Sequence, residues 1–118
     1  MSLHGTWRPV RAELDGQHAP ELALERMEFI LREDVYTVRF AGETHDRGTF
    51  THTEAVLTFT ASHGTNAGRI ITAIYQLVGD RLRICYGLDG TAPAAFKTAP
   101  GSCRYLVTYR REAADNPC

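Results

Sequence analysis

The chain has 118 residues, of which 43% are hydrophobic and 23% charged, and its formal net charge is −1. That length holds one hydrophobic core and excludes a second domain, and the composition excludes both a disordered chain and one dominated by membrane spans. The arginines are scattered through the sequence and do not gather into the basic face that phosphate contact requires, so nucleic acid is not expected as a partner.

The elements follow one another as short segments rich in Val, Ile, Thr, Tyr and Phe, with side chains alternating in polarity and turn residues between them. A first strand is expected over 6–14, closed by Asp15 and Gly16, which tolerate the positive φ of a tight turn. Pro9 lies inside it, and because proline donates no ladder hydrogen bond, a bulge or an edge-like position is expected there. Residues 19–26 break the alternation in favour of helix formers behind Pro20, predicting one short helix that could plug an end of the fold through Leu22 and Leu24. Further strands are expected over 27–31, 35–41, 45–52, 55–61, 69–78, 81–87 and 103–111. The stretch 88–102, rich in Gly, Pro, Ala and Thr, reads as a long loop, and about 112–118 as a flexible tail. Eight strands joined mainly by tight turns, without helical crossovers, predict an all-β, eight-stranded antiparallel up-and-down barrel with one short helix after the first strand, filling 1–118 as a single domain.

No apolar run approaches the ~20 residues that cross a bilayer as a helix, and Met1 to Leu14 lacks the pattern of a signal peptide, so no membrane partner is expected and the chain as given reads as cytoplasmic. A leader removed earlier would leave the same reading. Cys85, Cys103 and Cys118 are odd in number and lack CxxC spacing, which predicts free thiols and neither a disulfide framework nor a zinc site. The segment 64–68 lacks the Lys and Ser/Thr of a phosphate loop, and no cofactor is expected.

Several elements in order carry a resemblance. Gly5, Thr6 and Trp7 open the chain and are followed by Asp15, Gly16 and Pro20; Gly48, Thr49 and Phe50 stand in the middle; residues 74–86 read IYQLVGDRLRICY; then come Pro93 to Phe96, Pro100 to Ser102, and a last strand ending in Arg110 and Arg111. Together these resemble the small bacterial lipocalin-like domains of planctomycete type, over nearly the whole chain. The departure is Ala92, where that family usually has an arginine before the Pro-x-x-Phe element. The resemblance implies a lipocalin-like barrel and little about activity. It also implies a pairing of the first-strand tryptophan with a last-strand arginine at the closed end, here Trp7 with Arg110 or Arg111 as a structural closure.

Side-chain alternation assigns facing once one residue is fixed. Arg81 and Arg83 put Leu82, Ile84 and Tyr86 inside and Cys85 outside; Ala73, Tyr75 and Leu77 are expected inside, as are Leu57, Phe59 and Phe50. Three functions follow. The favoured one is a non-catalytic binder of a small, partly apolar molecule, with Phe50, Phe59, Tyr75, Tyr86 and Tyr105 lining its pocket, against plain core packing of the same rings. The second is a small barrel enzyme, an isomerase, cyclase or hydrolase, drawing on His45 beside Asp46, His52 and His63, although these histidines form no motif and read as solvated. The third is an interaction domain using the 88–102 loop, whose one large apolar residue, Phe96, otherwise anchors that loop across the barrel mouth. No catalytic residue and no metal ligand is assigned.

Overall fold

Each strand of alternating polarity has one face that water disfavours, and eight such strands closed into a ring turn all of those faces inward at once. The computed structural model describes residues 3–64 and 66–112. Its strands are β1 (Gly5–Leu14), β2 (Gln17–His18), β3 (Met27–Arg32), β4 (Val35–Phe40), β5 (Glu43–His52), β6 (Val56–Gly64), β7 (Ile70–Val78), β8 (Arg81–Gly87) and β9 (Arg104–Arg111), with the helix α1 (Glu21–Glu25) between β2 and β3. Antiparallel neighbours run from β1 to β3 and then in chain order to β9, which pairs back on β1 and closes an eight-stranded barrel; β2 is an extra strand beside β1. The closing strand serves two neighbours by dividing its length, with Gly5 to Trp7 along β3 and Trp7 to Leu14 along β9.

The β1–β9 register shifts between Pro9 and Arg11, so a bulge stands beside the proline. The helix is shorter than the 19–26 expected, with Pro20 at its N-cap. Its single turn can present only one leucine to the barrel: Leu24 is buried, whereas Leu22 is 71% exposed and makes no plug. Glu112 donates its backbone N–H to the Thr6 carbonyl at 2.7 Å. The rest of the expected 112–118 tail, with Cys118, lies outside the described residues.

Because successive strands run in opposite directions, the connections divide between two ends. One end carries the chain start, the β3–β4, β5–β6 and β7–β8 turns and the last residues of β9; the other carries α1, the β4–β5 turn, the β6–β7 loop and the long loop before β9. Trp7, Leu31, Leu57, Leu82, Ile84 and Val107 are fully buried between them and fill the interior toward the first end. Trp7 lies under the guanidinium of Arg111, 4.3 Å from its ring centroid, and donates its indole N–H to the carbonyl of Leu3 at 2.9 Å. Arg110 is exposed, and its cross-strand neighbours are Arg8 and Arg81, so it is Arg111 that covers the indole. Among the described residues no helix is long and apolar enough to cross a membrane.

Candidate functional site

Near the other end the rings do not fill the interior. A cavity of about 290 Å³ remains, walled by Phe29, Tyr36, Phe59, Tyr86, Tyr105 and Tyr109, with Val38 and Ile71 between them and with Glu28, His45, Asp46, Asn66 and Leu88 also in the lining. The rings hold one another in place edge-to-face or stacked: Tyr36 on Phe59 at 5.0 Å, Phe29 on Tyr109 at 5.1 Å and Tyr86 on Tyr105 at 5.5 Å between centroids. Such pairs fix the wall before any ligand arrives. An apolar cavity of about 150 Å³ takes a benzene ring, so this one has room for a molecule of bicyclic size.

Of the residues predicted to line a pocket, Phe59, Tyr86 and Tyr105 do so. Phe50 and Tyr75 do not. Both stand at inward strand positions, but Phe50, directly across from Phe59, packs against the rings of Phe59 and His52 and stays outside the lining, and Tyr75 is carried to the opposite end, where it donates its hydroxyl to the Thr53 carbonyl in the β5–β6 turn. Alternation gives the face of a side chain and not its height along the barrel axis. Phe29, Tyr36, Asp46 and Tyr109 line the cavity and are absent from the sequence-based set. For Asp46 the signal was present, since it shares the parity of inward Gly48 and Phe50.

Two polar groupings interrupt the apolar wall. The hydroxyls of Tyr86 and Tyr109 are 2.8 Å apart in the buried interior. One donates to the other, which leaves the second hydroxyl hydrogen without an acceptor in that pair and available to a water or a ligand. Burial holds both phenols protonated well above the ordinary tyrosine range. The other grouping is Asp46, whose Oδ1 accepts from the Arg47 backbone N–H at 3.0 Å and whose Oδ2 accepts from Asn66 Nδ2 at 3.0 Å, with the Tyr36 hydroxyl at 3.5 Å. Desolvation first, and then the charge of Asp46, push the Tyr36 phenol far up.

The histidines do not converge. His45 is exposed at the cavity, His52 is exposed at the opposite end, and exposed His63 bonds through Nδ1 with Ser62 Oγ at 2.9 Å. Among the described residues no three His, Cys, Asp or Glu side chains gather where a metal ion could be held.

The long loop does not bridge the mouth through Phe96. It folds back over the outer wall, where Phe96 lies under the Arg83 guanidinium at 4.1 Å, the Thr98 hydroxyl accepts from the Gly16 N–H at 2.9 Å, and Cys85 Sγ faces the Lys97 carbonyl at 3.9 Å. Cys85 has the outward parity of its arginine neighbours and is nonetheless completely buried, because this loop covers it. Its thiol is pushed up by burial, opposite to what a nucleophile needs.

No known protein family, curated protein or solved structure matches the chain.

Proposed function

We propose that this barrel is a lipocalin-like binding protein, not an enzyme, and that it holds one small, partly apolar molecule in the cavity. The observation that carries the reading is the unfilled volume of about 290 Å³ behind a wall of mutually packed aromatic rings, in a barrel whose other end is closed by buried side chains. Plain core packing would have filled that space, since an empty cavity forfeits contact energy. The odd number of cysteines supports a cytoplasmic location.

The test is a titration with the bicyclic fluorophore 1-naphthylamine, which is neutral at pH 7. Saturable enhancement at one site is expected, and it should fall by about tenfold in a folded Val38→Phe, Ile71→Phe double variant, whose larger side chains occupy the cavity. Equal enhancement in the filled variant, or none in the native chain, would count against the proposal.

A further inference from the structure

Among the described residues Asp46 is the one charged side chain that is buried, at 7% exposed. Its partners are the Arg47 N–H, Asn66 Nδ2 and, at 3.5 Å, the Tyr36 hydroxyl. All three are neutral. They occupy some of the four lone-pair positions of a carboxylate and leave its charge uncompensated. None of the ion pairs among the described residues involves Asp46. A carboxylate held away from water without a counter-charge is costly, and that cost is relieved by whatever brings a positive charge beside it.

The rest of the lining favours the same sign. Six aromatic rings line this space, and an aromatic ring attracts a cation through its electronegative face. No lysine or arginine is in the lining. Its other acid, Glu28, is already met by Arg8 at 3.4 Å. His45 stands at the cavity but is exposed, where solvent screens it. From this geometry we infer that the cavity selects a small organic cation: an amine carried on an apolar body of one or two rings, its ammonium group against Asp46 and its body against Phe29, Phe59 and Tyr109. This rests on the proposal that the cavity is a ligand site, and it adds the charge of the ligand. The competing role for Asp46 is structural, in which it ties the β6–β7 loop to β5 through Asn66 and sets no preference among ligands.

Calorimetric titration with tryptamine and with tryptophol, its neutral alcohol counterpart, separates the two. At neutral pH the native chain should bind tryptamine at least about tenfold more tightly than tryptophol. Asp46→Asn keeps one acceptor, for the Arg47 N–H, and turns the oxygen that accepts from Asn66 into a donor; it should reduce the preference to less than about twofold and leave tryptophol affinity unchanged within about twofold. Glu28→Gln should keep the preference. Equal binding of the two compounds by the native chain, a preference that survives Asp46→Asn, or one abolished by Glu28→Gln overturns the inference. Should circular dichroism show Asp46→Asn unfolded, the native ratio together with Glu28→Gln decides: a preference kept in both supports the inference, and its loss in either overturns it. Binding of the naphthylamine probe without binding of tryptamine overturns the cation and leaves the cavity standing; failure of all three compounds removes the ligand site itself.

Discussion

Arg111 covers the indole of Trp7, with its guanidinium carbon 4.3 Å from the ring centroid. The same guanidinium donates from Nε to Asp80 at 3.1 Å and from Nη1 to the carbonyl of His4, so one side chain joins the chain start, the β7–β8 turn and the last strand. Replacing Trp7 by Ala should cost about 3 to 5 kcal/mol, the range for a fully buried large aromatic. Arg111→Met, which keeps the stem and loses the cation and its hydrogen bonds, should cost about 1 to 3 kcal/mol. Urea unfolding checks both, and cavity binding by Arg111→Met should match that of the native chain.

The Tyr86 and Tyr109 hydroxyls, 2.8 Å apart, should be coupled. Removing one strands its buried partner, so Tyr86→Phe and Tyr109→Phe should each cost about 1 kcal/mol or more, whereas the double variant should cost less than their sum. Additive costs in a double-mutant cycle would show that the pair is not coupled.

Alkaline pH should destabilise the barrel. All five tyrosines are raised above their ordinary range, with burial the largest cause for each. Below about pH 10 their phenols are protonated in both states and the stabilisation is complete. Above it the unfolded chain loses protons that the folded chain keeps, so stability falls by about 1.4 kcal/mol per pH unit for each fully buried tyrosine such as Tyr86 or Tyr109, and by less for the more exposed Tyr75, until the folded phenols ionise. Tyrosinate absorbance should therefore rise together with loss of the barrel's circular dichroism.

Gly48 is required by a close approach and not by its φ. A Cβ there would stand 2.0 Å from the Thr60 carbonyl oxygen, at the point where the β5–β6 register shifts. Backbone cannot yield as a side-chain tip can, so Gly48→Ala should cost about 3 kcal/mol, the upper part of the overpacking range. Thermal unfolding checks this, with Gly42→Ala as a comparison that meets no atom within 4 Å and tests only the positive φ.

Thiol labelling should distinguish Cys85 from Cys103. Cys103 is exposed and should react at the rate of a free thiol, while Cys85 should react only when the 88–102 loop lifts. In a Cys103→Ser, Cys118→Ser background, Phe96→Ala removes the ring beneath Arg83 and should raise the Cys85 rate by about tenfold or more.

Strand existence and facing were legible because period-two alternation is a local property: Arg81 and Arg83 were enough to orient all of β8. Depth was not legible. Whether an inward ring such as Phe50 or Tyr109 borders the cavity depends on how it sits among all the other inward rings, and that follows from the accumulated register of every strand between them. Asp46 was readable in principle, as a charge at an inward position, by the same alternation that turns Gly48 and Phe50 inward. The cover over Cys85 was not readable, because alternation describes a bare strand and takes no account of a loop that returns over its outer wall.

The chain has one tryptophan, and it sits at the shut end, apart from the space where a guest would lodge. Its emission is therefore an internal gauge of whether the barrel is intact. With a guest that neither emits nor absorbs in the indole range, unfolding can be followed by fluorescence with that guest present, and any shift of the transition to higher denaturant then measures binding through stability alone.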